Sequence, residues 1–572
     1  MTETSRDTLG NLAAAALGLV AFFVFAGWWV LIPTNIAWLD AADRAMHQLG
    51  WMFYRDAPWT LPLGANPRLG LELSSSIAIV DGLPLFAIPF KLIAPLLPRP
   101  FQYWGYWWLA CFVLQSVFAY RLARELGATR IVAVLAAGFA VMAPAFLFRL
   151  PLHMALAGHW TVLAALSLYA RRVPARARLW LLLVGVTAAV HAYLFVMVVG
   201  IWFASYLQRL WLRRMGPRHA ILEPFAVALV GAIVLWAVGF FYPGSFTSAG
   251  YGHYRLNLLG PLITYQDWSR LAPDLPHSDY DYEGLSFLGI GVFGALILAL
   301  VSGSIRDIGH LVRRRWLLLT LFCLGCSIFA LSNVIGIGDR ETAPIPYGPV
   351  ETLGAIFRSS GRFVWPMLYL VIIGMIVVSV RRLPKPVAGI ALAVLLAVQV
   401  YDSSSGWTYF QKTMPAPSAT WPTPLTSPLW DRVVDAGYTQ LRGIPPISRN
   451  AGLPRHPDWR WLEYFAATHG IALDTVYLGR IDDSAAQALV ARGTAILDGA
   501  PPEPHTLYVL DAWAALRLGP HVKADDLFAL VDSRIVFISG GAQLVDGLGI
   551  DPHSAMSARP WTPPAIWGMS AA

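Results

Sequence analysis

What most constrains this chain is a succession of apolar runs of bilayer-spanning length. After Asn11–Ile32 come Tyr103–Leu122, Ile131–Phe148, Ala155–Ala170, Leu179–Val190, Ala192–Leu210, Ile221–Tyr242, Leu285–Val301, Trp316–Ile335, Phe363–Val380 and Val387–Tyr401. A water-soluble core does not need such runs one after another, whereas a hydrocarbon layer about 30 Å thick does. With 56% of its 572 residues hydrophobic and 13% charged, the chain is neither disordered nor an ordinary soluble enzyme. Several runs fall short of about 20 residues and need help from flanking residues or from the bundle. The stretch 179–210 is too long for one crossing and divides at His191, a polar break tolerated only against protein or a wet cavity.

Loop charges set the expected orientation. Arg121, Arg124 and Arg130 share one loop, and Arg171, Arg172, Arg176 and Arg178 another. Arg209, Arg213, Arg214 and Arg218 follow, then Arg306 with Arg313, Arg314 and Arg315, then Arg381, Arg382 and Lys385. All five groups fall on one side if Ile77–Leu97 does not cross, and the positive-inside rule makes that side the cytoplasm. Asp81, Gly82, Pro84, Pro89, Lys91 and Pro95 interrupt Ile77–Leu97, which reads as a re-entrant or interfacial segment. The expectation is about 11 crossings, with the N-terminus inside and the C-terminus outside. The net charge of +8 is thereby explained by topology, and nucleic acid is not an expected partner. Cys111, Cys323 and Cys326 all lie in apolar runs and read as small buried residues, not as a redox or metal motif. Asn11–Ile32 reads as a retained first span, since no convincing small-residue cleavage site follows it.

The membrane domain therefore covers 1–401, with large outer loops at 33–102, 243–284 and 336–362. A linker at 402–430, rich in Pro, Ser, Thr and Trp near Met414–Pro428, leads to an outer domain at 431–572. There, β-type runs at Thr475–Leu478, Thr506–Leu510 and Arg534–Ile538 alternate with a helical run, Ser484–Leu497. The expected fold is a mostly α, polytopic membrane protein with a small α/β extracytoplasmic C-terminal domain.

Polar residues near the outer surface are the candidates for chemistry. Asp40, Asp43 and His47 are spaced three and then four residues apart, so a helix puts them on one face. A carboxylate there can act as a general base or hold a divalent cation, and a His one turn on can orient it or meet a phosphate. An amphipathic interfacial helix with a solvated polar face reads equally well. Arg55 precedes a Pro/Gly/Trp-rich stretch, FYRDAPWTLPLGANP. Asp81 within an apolar run needs a partner, as a functional group or as a cap on a broken helix. His153, His159 and His191 all approach the outer face, at spacings that match no zinc pattern. The second loop interleaves Asp267, Asp274, Asp279, Asp281 and Glu283 with Tyr and Trp, which suits sugar rings and suits an aromatic belt as well. Glu283 stands at the start of a span. FRSSGRF places Arg358 and Arg362 around two serines and a glycine, a pattern for a phosphate clamp or for snorkelling arginines.

Several of these pieces carry a resemblance. They are Asp43, His47, Gly50 and Trp51; Pro58, Trp59, Pro62, Leu63 and Gly64; Asp81 and Pro84; His159 and Trp160; YEGLSFLGIG around Glu283; and the Arg358–Arg362 segment. With the order of spans, outer loops and external tail, they resemble the GT-C superfamily of membrane glycosyltransferases, and more narrowly a bacterial multi-pass family with GT-C-like features. The resemblance covers about residues 30–370 and departs at Gly82 and in the wording DRAMH.

The resemblance implies an enzyme of the bacterial inner membrane that moves a sugar from a polyprenyl-phosphate carrier to a glycan, lipid or protein acceptor on the periplasmic face. Asp43 becomes the expected catalytic base, with Asp40 as second choice or as a helper for metal. His47, His159, Arg358 and Arg362 become the groups that neutralise the carrier phosphate, and Arg55, Asp81 and Glu283 further substrate-binding residues. A divalent cation, Mg²⁺ or Mn²⁺, fits such chemistry, but no cofactor is certain and no metal site is recognisable in the sequence. The competing reading is a polytopic transporter or lipid flippase for envelope glycans, although no paired broken helices appear in two halves. A third is an accessory subunit of a polysaccharide machine, docked through the tail.

Overall fold

A computed structural model of the chain describes residues 3–171, 176–242, 250–265, 268–310, 316–446, 459–478 and 480–556. Arg172, Asp267, Arg313, Arg314 and Arg315, Pro243 at the start of the second loop, and the tail end from 557 lie outside the described residues.

The first part of the chain runs through α1 (Glu3–Ala26), α2 (Ala42–Asp56), α3 (Pro84–Leu92), α4 (Trp104–Glu125) and α5 (Arg130–Val141). It continues as α6 (Pro144–Arg149), α7 (Trp160–Ala170), α8 (Ala177–Val190), α9 (Ala192–Trp211) and α10 (Pro217–Ala237). Then follow α11 (Ile290–Val301), α12 (Leu317–Ala330), α13 (Val350–Ile356), α14 (Trp365–Ser379) and α15 (Lys385–Thr413). A helix stands at each apolar run expected from the sequence. Among the described residues, five stretches are long and apolar enough to cross a membrane: Asp7–Ala26, Ala192–Trp211, Pro217–Ala237, Ser360–Ser379 and Lys385–Thr413. α10 turns Ile221, Phe225, Leu229 and Ile233 outward, and α15 does the same with Val387, Ile390 and Val394. Apolar stripes of this kind are what a helix presents to lipid. The chain is thus mostly helical and has the build of a membrane protein.

α4 lies at the centre, packed on α1, α5 and α7. A buried polar chain crosses the core: Gln115 Nε2 on α4 donates to Tyr369 Oη on α14 (2.9 Å), and that hydroxyl meets His159 Nδ1 at the start of α7 (2.6 Å). Some boundaries differ from expectation. The run Ile131–Phe148 is two helices, because Pro144 disfavours helical backbone in the residue before it and opens a new helix. The last span runs on to Thr413, past the expected linker start at 402, because Asp402 is buried and accepts from the backbone N–H groups of Arg270 and Leu271 (3.1 Å each). Ile77–Leu97 holds only the nine-residue α3 and a 3-10 turn, too short to span by itself.

A two-strand ribbon, β1 (Gly336–Ile337) with β2 (Arg340–Glu341), stands in the third loop. The C-terminal region holds β3 (Gln440–Ile444), β4 (Ala472–Leu473), β5 (Thr506–Leu510), β6 (Leu527–Val531) and β7 (Arg534–Ile538), in the order β4-β3-β5-β7-β6. β3 is parallel to β4 and β5, and the β5–β7 and β6–β7 pairs are antiparallel. Helices α16 (Leu429–Asp435), α17 (Trp459–His469), α18 (Asp483–Leu497) and α19 (Ala512–Leu518) complete it. The expected strand at Thr475–Leu478 is absent; the short edge strand β4 precedes it. Its free edge is taken by the loop between α2 and α3, where Gly70 N donates to Leu473 O (2.8 Å) and Leu473 N to Arg68 O (3.0 Å). An edge that pairs in this way leaves no row of open backbone groups.

Arg442 locks this junction. Its guanidinium reaches Glu72 of the first loop (3.0 Å), Asp474 (3.3 Å) and Glu503 (2.8 Å). Removing Arg442 strands the buried Asp474 carboxylate at a cost of up to about 3–5 kcal/mol, while the part-exposed Glu72 and Glu503 add little. Arg442→Ala is therefore expected to lower the melting temperature of the purified protein and to speed proteolysis between Met414 and Pro428. Unchanged values for both would show that the ion cluster does not hold the C-terminal domain in place.

Candidate functional site

A regular helix delivers two polar groups of the site, and local irregularities deliver several others. α2 carries Asp43 near its start and His47 one turn on, as the spacing predicts. Asp81 follows in a left-handed conformation (φ +50°), which Asp adopts more readily than most residues. It approaches α2 because Gly50 has no side chain: a Cβ there would lie 2.5 Å from Val80 Cγ2. The break between α8 and α9 falls at His191, whose Nδ1 accepts from Tyr193 N (3.1 Å). That leaves the ring proton on Nε2, which faces Asp81 Oδ1 at 3.2 Å.

Glu283 is the hub. It sits in the 3-10 turn Asp281–Gly284 and is buried with Arg149 and Arg362. Arg149 Nη1 donates to Oε2 (2.6 Å), while Arg362 donates Nε to Oε2 (2.9 Å) and Nη2 to Oε1 (2.7 Å). Gly361 allows the meeting, since a Cβ there would stand 2.7 Å from both the Arg255 backbone and Gly284 Cα. His153 then spans two carboxylates, with Nε2 3.2 Å from Glu283 Oε1 and Nδ1 3.2 Å from Asp43 Oδ2. A continuous path thus runs Asp43–His153–Glu283–Arg362.

These groups surround a cavity of about 130 Å³. It is lined by Asp43, Asp81, His153 and His191, by Arg358 and Arg362, and by Tyr477 and Arg480 of the C-terminal region. Arg358 lies over the Tyr254 ring (5.6 Å), and Arg480 donates Nη2 to Ile356 O (2.9 Å). Neither has a carboxylate within 4 Å among the described residues, whereas Arg362 is already neutralised by Glu283. His47 stands fully buried, with no partner for either ring nitrogen among the described residues.

Electrostatics follow from this packing. Burial pushes the His47 imidazole down to about 4, so the ring is neutral. Burial alone would raise the Glu283 carboxyl, but the two guanidinium groups outweigh it and hold it well below the ordinary carboxylate range. For Asp81, burial raises the carboxyl, but the adjacent His191, whose Nε2 lies 3.2 Å from Oδ1, outweighs it and holds the carboxyl low.

Of the residues expected from the sequence, the structure brings together Asp43, His47, Asp81, Glu283, Arg358 and Arg362. It places three elsewhere. Asp40 pairs with Arg460 of the C-terminal region (3.2 Å). Arg55 donates to the carbonyls of Ala94, Leu97 and Pro98, which ties down the end of the Ile77–Leu97 segment. His159 is held in the core by Tyr369. Sequence reasoning missed Arg149, Tyr193, Tyr477 and Arg480. Arg149 carried a signal in hindsight, as a charge at the end of an apolar run; Tyr477 and Arg480 carried none.

The fold and the site together define a class: a mostly helical protein with helices long and apolar enough to cross a membrane, and a polar, charged cavity roofed by a C-terminal α/β region. Residues 15–404 match the model of the family described as "Domain of unknown function (DUF6311)", and residues 429–539 match that of the "DUF6311 C-terminal domain". The chain belongs to this family. Comparison with curated proteins returns no match.

Glu283→Gln leaves two buried guanidinium groups without a counter-charge, so a loss of about 3–5 kcal/mol is expected. Because the folded carboxyl titrates below its ordinary 4.5, its contribution is complete above that pH and fades only as the pH falls below it. The melting temperatures of wild type and variant should differ by a constant amount above pH 4.5 and converge below it. A gap that instead opens toward acid pH would contradict the assigned ion cluster.

Proposed function

We propose that this protein is a GT-C-like glycosyltransferase that moves a sugar from a polyprenyl-phosphate carrier to an acceptor hydroxyl at the outer membrane surface. The observation that carries the reading is the shared cavity: Asp43 faces it together with Arg358 and Arg480, two guanidinium groups with no carboxylate partner among the described residues. An acid to take a proton and cations to hold a phosphate are what such a transfer needs.

In this mechanism Asp43 accepts the acceptor's hydroxyl proton as the oxygen attacks the anomeric carbon. The bond from that carbon to the phosphate oxygen breaks, and polyprenyl phosphate departs with its charge met by Arg358 and Arg480. One displacement inverts the anomeric centre. His153, fixed by Glu283, orients Asp43. Because phosphate is a good leaving group, no strong general acid is required. The sequence expectation gave this role to His47, His159, Arg358 and Arg362; in the present reading Arg358 keeps it with Arg480, and Arg362, paired with Glu283, is a positioning group.

About eleven crossings with the cavity on the outer face suit this reading. Arg381 Nη2 donates to Leu126 O (3.2 Å), and Arg382 pairs with Asp307 (2.8 Å), so three of the arginine-bearing loops meet away from the cavity. The inner membrane of a bacterium, with the C-terminal region in the periplasm, is the corresponding location. The C-terminal region supplies Tyr477 and Arg480 to the roof, which fits an enzyme that must exclude water better than a transporter that must open a path through the bundle.

The test is sugar transfer in inverted and right-side-out vesicles supplied with a polyprenyl-phosphate sugar. Asp43→Asn is expected to lower kcat by roughly 10²–10⁴-fold. Arg480→Gln is expected to lower it by roughly 10²-fold. Full turnover by folded Asp43→Asn protein would remove the base from the mechanism, and movement of the carrier without transfer would favour the flippase reading.

A further inference from the structure

We propose that His47, Asp81 and His153, at the edge of the cavity, bind one divalent cation of borderline softness, Zn²⁺ or a close chemical relative. One ligand atom from each lies within 4.8 Å of the other two. The corresponding separation across a tetrahedral site with bonds of about 2.0–2.1 Å is roughly 3.3–3.5 Å. An ion would therefore draw the three side chains inward by small rotations, without a change in the backbone.

The second observation is His47 itself. It is completely buried on α2, its ring beside that of Trp104 (5.5 Å between centroids), and neither ring nitrogen has a partner among the described residues. A buried imidazole with both nitrogens idle is costly, and buried polar groups left unpaired call for an explanation such as an ion. Its neighbours within reach are the Asp81 carboxylate and the His153 ring.

The surroundings match what metal ligands ordinarily have. His153 Nε2 faces Glu283 Oε1 (3.2 Å), the familiar carboxylate–histidine–metal arrangement, and with an ion bound Nδ1 would exchange its contact with Asp43 Oδ2 (3.2 Å) for the metal. Asp81 is oriented by His191 Nε2 (3.2 Å), and His191 in turn by the backbone N–H of Tyr193 (3.1 Å). Asp43 Oδ2 lies 3.2 Å from His153 Nδ1, so it stands at the fourth position, as a ligand or beside a ligand held there. Two imidazoles and a carboxylate suit Zn²⁺, Co²⁺ or Ni²⁺, while Mg²⁺ and Mn²⁺ prefer oxygen. The proposed ion thus differs in class from the Mg²⁺ or Mn²⁺ expected from the sequence. The inference does not depend on glycosyl transfer.

The test uses the full-length protein in detergent, without a polyhistidine tag, stripped by chelator and then given Zn²⁺ or Co²⁺ alone. Metal content after desalting is expected to be one zinc per chain, unaffected by excess Mg²⁺. Co²⁺ is expected to give intense visible absorption bands, and Zn²⁺ to raise the melting temperature of the wild type. His47→Gln and Asp81→Asn should lose the bound metal while keeping their fold, with His153→Gln as replacement for either one that does not fold. An empty wild type, no thermal shift, or equal loading of folded variants would overturn the proposal. Sugar transfer plays no part in these readouts. An inactive but zinc-loaded protein would therefore count against the transferase reading alone, and an active, metal-free protein against this one alone.

Discussion

The structure depends on the carboxylate of Glu283 being enclosed by the guanidinium groups of Arg149 and Arg362. Three charges taken out of water are tolerated only because each satisfies the others at hydrogen-bond distance. The three come from distant parts of the chain: the end of α6, the turn before α11 and the entrance to α14. Once they meet, the loops that lead into α11 and α14 and the end of α6 are fixed on the bundle. The triad carries a net positive charge, and His153 extends it to Asp43.

Around that anchor the site is built from breaks in regular structure. The His191 interruption between α8 and α9, the left-handed backbone of Asp81 and the close approaches at Gly50 and Gly361 each place a polar group where a continuous helix would have placed an apolar one. Buried polar groups of this kind are costly in a bilayer and persist where they have partners or a task. Glu283, Asp81 and His153 have partners. His47 has none among the described residues, and it stands at the point where the proposed chemistry and the proposed ion meet.

Much of this was legible from local pattern. The helix with Asp43 and His47 one turn apart, the split at His191, the proline-broken segment around α3, the isolation of Glu283 at a span entrance and the α18 and β5 elements all follow from periodicity, proline placement and charge. Other features were not. Asp40 has the same local credentials as Asp43, but it turns toward Arg460. Arg55 and His159 look like site residues in sequence and serve as fasteners, because the carbonyls of Ala94, Leu97 and Pro98 and the Tyr369 hydroxyl lie where no spacing rule can see them.

By itself the sequence determined the class of structure, because hydrocarbon rejects unsatisfied backbone and so writes itself into long apolar runs with arginine-rich loops between them. It also determined which polar residues deserved suspicion, since an ionisable group in or beside such a run needs a reason. The tertiary structure alone decided the pairings: that Arg362 meets Glu283, that Arg480 comes from the far domain to roof the cavity, and that His47, Asp81 and His153 converge. The physical reason is range. Burial and periodicity act within a few turns of chain, whereas ion pairs and metal ligands are chosen by three-dimensional distance, which only the packed bundle sets.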